Sequence, residues 1–493
     1  MRRGVIWIAL VLFFGLAKQA EAACQGSAPN WIAPTWMDVV LCQQVAMNGD
    51  RITVTSGSYT ATARTEITKY LQIVAANVTV LDNTPGFTED MITFVESAAG
   101  NTKLSGPLTI NQGSSSHNES SGVVGINNAV GGKPVLVTGV NYIMVGGSGN
   151  FFYVRTNRGV LWNNHGLGVV SGPACLNNSS FLRHKWTGGG IEAWKKPAVY
   201  GAADVNGDQS LYAEGNTVNR MLEGLDADDN ARLVWRYNTV INSGGGTHGV
   251  DTSGIIGGRY IDYYGNIFVR DMTPQPGCII DGQQAPVNMN GFIAVRGGTV
   301  LIHDNVIPDI NDGWWGQKSE VTFLYENLRR NSGGYPCWNT ATAPGAGYPA
   351  PHNTGWGFST GLSNPGNLGA NVLQDIEPMY LWGNTGAGNY NNPGVVDYPN
   401  ECGPLAPFVS GYIQSGREYY LNTAKPGYTP YVYPHPLASG VTPPPTPTPP
   451  PVTLYEILVN NQVRASGGIP LSFQLKQNCA PNQGCKVEVR EKK

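Results

Sequence analysis

The densest run of chemically capable side chains is Asp226-Ala227-Asp228-Asp229, followed by Thr247-His248-Gly249-Val250-Asp251 and then Arg259. Glycoside hydrolysis needs two carboxyl groups flanking the scissile bond, one of them held protonated. A nearby histidine can tune or orient such a pair. A lyase would use the same types of residue differently. It needs a base to remove the proton beside a uronate carboxylate, and a cation to neutralise that carboxylate. Arg236, Arg259 and Arg296 are candidate neutralising groups, and His248, His303, Lys195 and Lys196 are candidate bases. The candidate catalytic set is therefore Asp228, Asp229, His248, Asp251 and Arg259. Plainer roles compete: adjacent Asp228 and Asp229 suit a turn that ends a strand, and His248 suits a glycine-rich loop.

No cofactor is expected. Asp204-Val205-Asn206-Gly207-Asp208 begins like a calcium loop, but Gln209 and Gly215 stand where such a loop needs glycine and an acid. Calcium is thus possible but not indicated, and the segment reads as a turn. No Cys/His spacing suits zinc. Gly244–Gly246 and Gly297-Gly298 lack the strand–loop–helix setting of a phosphate loop and read as turns.

The elements that must hold these groups repeat. LYAEGNTV (211–218), LVWRYNTV (233–240), IDYYGNIF (261–268), VLIHDNVI (300–307) and MYLWGNTG (379–386) share one shape, apolar residues at alternate positions followed by asparagine. Short alternating runs that stop at Gly or Asn are strands rather than helices. Units that cannot bury their own apolar face must stack, so the repeat predicts a solenoid; an antiparallel β-sandwich is the alternative. The asparagines 216, 238, 266, 305 and 384 are expected at one corner of successive coils, bonding one another. Counting back from them, the third and fifth residues point inward, and the second and fourth point outward. The outward set includes Glu214, Arg236, Asp262, Tyr264, His303 and Trp382. Aromatic rings that cover pyranose faces, beside charges that bind hydroxyls and carboxylates, would make this a substrate-binding wall. Alternatively it is a solvated face, with Glu214 and Arg236 forming an ion pair that contributes ~0–1 kcal/mol.

The opening segment NGDRITVTSGSYT (48–60) resembles the first coil of pectate-lyase-like right-handed parallel β-helix proteins. RLVWRYNTVINSGGGTHGVDTSG (232–254), FIAVRGGTVLIHDN (292–305), GYPCWN (334–339), EPMYLWGNT (377–385) and GREYYLNTAKPGYTPYVYPHPL (416–437) together resemble a group of secreted bacterial β-helix proteins of unassigned activity. The resemblance covers nearly the whole of residues 23–441. It implies an all-β, right-handed parallel β-helix. Several lyases and hydrolases on this fold bind polysaccharide on the outward face of one sheet. The order Asp-Asp, His-Gly, Arg is similar to that of polygalacturonases, although their Asn-Thr-Asp and Arg-Ile-Lys elements are absent. The Arg-x-Pro-x-x-Arg signature of pectate lyases is absent too. The fold alone does not choose an activity.

Arg2-Arg3, the apolar run 4–16 and Ala20-Glu21-Ala22 follow the plan of a secretory signal cleaved after residue 22. The apolar run is shorter than the ~20 residues of a membrane span. TPPPTPTPPP (442–451) is an extended spacer. It divides a β-helix body (23–441) from a small β tail (452–493), a candidate for attachment to a cell surface. Eight cysteines in an oxidising compartment suggest disulfides. Cys24–Cys42 and Cys479–Cys485 are plausible local pairs. Cys337–Cys402 would tie down the long loop 312–376, and the other pairing is open. A net charge of −3 carries no nucleic-acid footprint. The expectation is a secreted protein that acts on an acidic polysaccharide as lyase or glycoside hydrolase, or else one that binds glycan or builds a surface without catalysis.

Overall fold

The structure is a computed structural model that describes most of residues 24–307, parts of 323–438 and three strands after residue 454. Residues 1–23, 186–209, 248–257, 308–322, 327–353, 359–373, 398–412, 439–454 and 468–486, with shorter gaps, lie outside the description. The chain separates into two compact units, Met1–Pro444 and Pro445–Lys493.

The first unit is a parallel β-helix. A typical coil has three short strands, such as Leu211–Glu214, Thr217–Asn219 and Glu223–Asp228. The next coil repeats them as Arg232–Arg236, Thr239–Ile241 and Gly244–Thr247. Each strand pairs in parallel with its counterpart one coil on. The first and second faces merge into a sheet of 21 strands, and the third face is a sheet of ten. Strand alternation sends Leu211, Ala213, Leu233, Trp235, Ile261, Tyr263, Val300, Ile302, Met379 and Leu381 into one interior core, as the repeat predicts.

The corner between the first two faces explains the asparagines. The residue before each one is left-handed: Asn163, Gly215, Tyr237, Gly265, Asp304 and Gly383 have φ of 51, 66, 55, 65, 53 and 65°. Gly, Asn and Asp tolerate that region best. Gly265 is required twice over, since a Cβ there would lie 2.6 Å from the Tyr237 ring. Each following asparagine then donates from Nδ2 to the next one's Oδ1: Asn216 to Asn238 at 3.0 Å, Asn238 to Asn266 at 3.1 Å, Asn266 to Asn305 at 2.9 Å and Asn305 to Asn384 at 2.8 Å. Asn164 is a sixth asparagine of the ladder, adding a fifth bond, to Asn216 at 3.1 Å. The segment Gly159–Asn164 meets the same positional rule.

Helix Asp38–Val45 packs on the first coils with Val39 and Cys42 buried, and Cys24–Cys42 holds it as expected. A hairpin, Gln275–Ile280 with Gln283–Ala285, is inserted after a second-face strand, and Cys175–Cys278 ties it back across the chain. Cys337, Cys402, Cys479 and Cys485 lie outside the described residues. In the second unit Tyr455–Val459 is the centre of a three-stranded antiparallel sheet, flanked by Gln462–Gly467 and Val487–Glu491.

Candidate functional site

The outward column of the first face is in register as predicted, running Glu214, Arg236, Tyr264, His303, Trp382, and Trp162 extends it by one coil. Its exposure is not as predicted. Glu214, Arg236, Asp262, Tyr264 and His303 are buried, and Trp382 is half-buried. The cause is the body's own segment 428–438, which lies across the wall. Tyr433 packs on Trp162 and Tyr237, Tyr431 on Tyr212, and Tyr428 on His303 and Trp382. Leu136, Val160, Trp162, Tyr212, Val234, Tyr264 and Ala438 thereby form a second hydrophobic core outside the solenoid.

The charged groups in this interface are matched, whereas Trp162 Nε1 and Tyr433 Oη are buried without a hydrogen-bond partner. Arg236 donates from Nε to Glu214 Oε2 at 2.7 Å, from Nη1 to the Tyr431 carbonyl at 2.7 Å and to Tyr264 Oη at 2.9 Å, and from Nη2 to the Val432 carbonyl at 2.9 Å. The His435 backbone N–H donates to Glu214 Oε1 at 2.8 Å. Burial raises the Glu214 carboxyl above its usual range despite Arg236. Burial opposes the Arg236 charge, but Glu214 and Tyr264 outweigh it. Near the upper end of the wall His303 stacks between Tyr264 (4.6 Å) and Trp382 (4.0 Å). Its Nε2 is 3.2 Å from Asp262 Oδ1, its Nδ1 is 2.8 Å from Asp304 Oδ2, and Tyr428 Oη donates to Asp262 Oδ2 at 2.8 Å. This wall is an internal interface, and the six residues assigned to substrate have protein partners on it.

The outward side of the ten-stranded face is chemically different. On Glu223–Asp228, Leu225 and Ala227 enter the core, so Asp226 and Asp228 leave together on the other side, where both carboxyl groups are buried, as is Arg183 beside them. The neighbouring strand Ser180–Lys185 sets Arg183 opposite Asp226 and Lys185 opposite Asp228. Arg183 lies 3.4 Å from Asp226 and 3.5 Å from Asp228, and Lys185 lies 2.7 Å from Asp228. Two coils beyond, Arg296 follows Val295, the partner in series of Thr247; its backbone N–H donates to Thr247 Oγ1 at 3.1 Å. Arg155, stacked on Tyr153 and 3.4 Å from Asp90, extends the charged strip in the other direction. His184 shares a strand with Arg183 but points inward. Its Nδ1 lies 3.1 Å from the Val154 carbonyl, its Nε2 lies 3.2 Å from the Arg232 carbonyl and 3.3 Å from the Arg232 N–H, and burial lowers its pKa to about 4.

Of the candidate catalytic residues, Asp228 ends its strand inside this cluster, and its carbonyl also accepts from the Ala231 N–H at 2.9 Å, closing a turn. Arg259 is buried elsewhere, held by Glu377 at 2.8 and 3.4 Å. The arginines on the ten-stranded face beside this cluster are Arg183 and Arg296 instead. Asp229, His248 and Asp251 lie outside the described residues, as do Lys195, Lys196 and the segment 204–208. Arg183 and Lys185 were not singled out from sequence, although SFLRHK (180–185) carries the same alternation as the other strands. Among the described residues no group of three or more His, Cys, Asp or Glu is placed to hold a metal ion, and no helix is long and apolar enough to cross a membrane. Comparison of the chain with models of known protein families finds no match, and comparison with curated proteins finds none either.

Proposed function

We propose that the protein is exported and acts on an acidic polysaccharide, as a lyase or glycoside hydrolase, along the outer side of its ten-stranded face. The observation that carries this reading is the placing of Asp226 and Asp228 on one side of one strand, met by Arg183 and Lys185 on the next. The two carboxyls leave one strand two residues apart, and Arg183 lies within 3.5 Å of both. Arg183, Lys185 and Arg296 supply cations for a uronate carboxylate, and a guanidinium can grip one bidentately. His248, directly after Thr247 in sequence, is the candidate base or orienting group. The leader-like opening sequence and the disulfides Cys24–Cys42 and Cys175–Cys278 support export into an oxidising compartment.

A second reading, recognition of glycan without turnover, is favoured by the 2.7 Å pair between Lys185 and Asp228, because a carboxylate held by a cation is a poor proton donor. The test is to incubate the mature chain with uronate-containing and neutral glycans, following ultraviolet absorbance of unsaturated uronates and reducing ends. Absorbance marks a lyase, and reducing ends without it mark a hydrolase. Asp226→Asn and Asp228→Asn should each abolish turnover while leaving the circular dichroism unchanged. Retained binding without product would favour the second reading. Absence of both product and binding would sink the two together.

A further inference from the structure

A polar groove lies at the asparagine corner itself, between the first and second faces. It has a volume of about 710 Å3 and is open to solvent; Lys103, Ser105, Thr138, Asn141, Asn163, His165 and Thr217 are among its lining residues. That volume is within the range of about 300–1,000 Å3 usual for small-ligand sites. Its origin is a local departure from the regular coil. Strands Lys103–Gln112 and Val135–Met144 run through the corner without the asparagine of later coils, and their register shifts between Thr138 and Val140. Gly139 takes the left-handed position there, and a Cβ on Gly106 would lie 1.8 Å from the Gly139 carbonyl oxygen. Two glycines in contact thus make the floor, and any side chain on Gly106 would displace it. Pro107 offers an apolar ring on the exposed rim.

Most of the groove's polar side chains are unused; Ser105 Oγ donates to the Ile73 carbonyl at 3.3 Å, and Asn164 is taken up by the ladder. Among the described residues the side chains of Lys103, Thr138, Asn141, Asn163, His165 and Thr217 make no hydrogen bond to protein. His165 Nε2 has neither a protein partner nor solvent contact, so it is not the ring nitrogen open to a ligand. Burial lowers the pKa of this imidazole, which favours the neutral ring with one donor and one acceptor. Asn141, His165 and Thr217 are register partners on three successive coils, about 4.8 Å apart, so they form one rank of donors and acceptors along the axis. A ligand that meets mixed donors and acceptors at this repeat, with a single cation at one end, is a chain of hydroxylated rings bearing a carboxylate. The lining residues contain neither an arginine cluster for phosphate nor an aromatic slot for a base.

We infer that this groove is a second binding site, separate from the charged face, that holds two to three sugar units of an acidic glycan with a carboxylate on Lys103. The sugar class rests on the proposed function; the site itself rests on the groove. It would anchor a long polymer at one side of the solenoid while the charged face engages it elsewhere.

The test is calorimetric titration of the mature full chain with trimers of galacturonate and of mannuronate, and with cellotriose as the neutral control. Three variants probe the polar lining of the groove. Thr217→Val keeps shape and strand propensity and removes only a hydroxyl. Asn163→Gly keeps the left-handed backbone. His165→Ala removes the imidazole. Loss of two or three hydrogen bonds in the Asn163→Gly/His165→Ala pair should weaken acidic-trimer binding about tenfold or more. Lys103→Ala should erase the preference for acidic over neutral trimers. Thr217→Val, whose fold is the least disturbed, should weaken binding a few-fold. An Asp226→Asn/Asp228→Asn variant should still bind the trimers at the groove. Equal affinity in the groove variants, or no binding of any trimer to an Asp226→Asn/Asp228→Asn chain, would overturn the groove site. Failure of the proposed function would read differently, as trimer binding that the groove variants abolish in a chain without turnover on any glycan.

Discussion

Removing the Arg236 guanidinium should release the segment that covers the first face. Arg236→Met keeps the length and apolar bulk of the side chain but deletes its donors to Glu214, Tyr264, Tyr431 and Val432. Breaking a fully buried pair from one side costs about 3–5 kcal/mol, because the other charge is left without compensation. Each of the two stranded carbonyls adds about 1–3 kcal/mol if it stays buried. The chain avoids most of this by letting 428–438 lift away, which rehydrates Glu214 and both carbonyls. That escape exposes Trp162, Tyr212 and Tyr264, so the segment should open rather than the solenoid unfold. Limited chymotrypsin digestion reads this directly. Wild-type protein should resist cleavage after Tyr428 and Tyr431, and Arg236→Met should be cut there while the asparagine ladder stays protected in hydrogen exchange. Adding Glu214→Gln should restore much of the protection, since no buried charge then remains. Wild-type resistance in the single variant, or no recovery in the double, would refute the argument that this pair holds the segment down.

Two further outcomes are expected. Asn238→Ala removes the bonds to Ala213 O, Asn216 and Asn266 in mid-ladder and leaves several buried backbone groups unpaired; it should destabilise by about 3–5 kcal/mol, seen as a lower denaturation midpoint. His184 has a folded pKa lowered to about 4, so between the ordinary value of 6.5 and 4 the unfolded chain binds a proton that the folded chain refuses. Its contribution is therefore fully present above pH 6.5 and lost as pH falls toward 4, by about 3 kcal/mol at 1.36 kcal/mol per unit. His184→Gln should flatten that part of the stability–pH curve, and an unchanged curve would assign the acid sensitivity to other groups.

Strand, corner and the inward or outward sense of each side chain are local properties. Alternation along a strand and the left-handed step before each asparagine are written in six or seven consecutive residues, so the coils from Leu211 to Trp382 and their register could be read from the repeat. Asn164 was legible by the same rule. What covers an outward face is not local. Glu214 and Arg236 look solvated from their own coil, and they are buried only because residues 431–435 return some 200 positions later to bond them. Arg259 looked catalytic beside Asp228 in sequence, yet its partner Glu377 is 118 residues away. Burial changes the role of a charge, from a group waiting for a ligand to one that needs a fixed protein partner. Sequence alone determined the solenoid and which side chains leave it, and only the tertiary structure decided which of those side chains meet solvent.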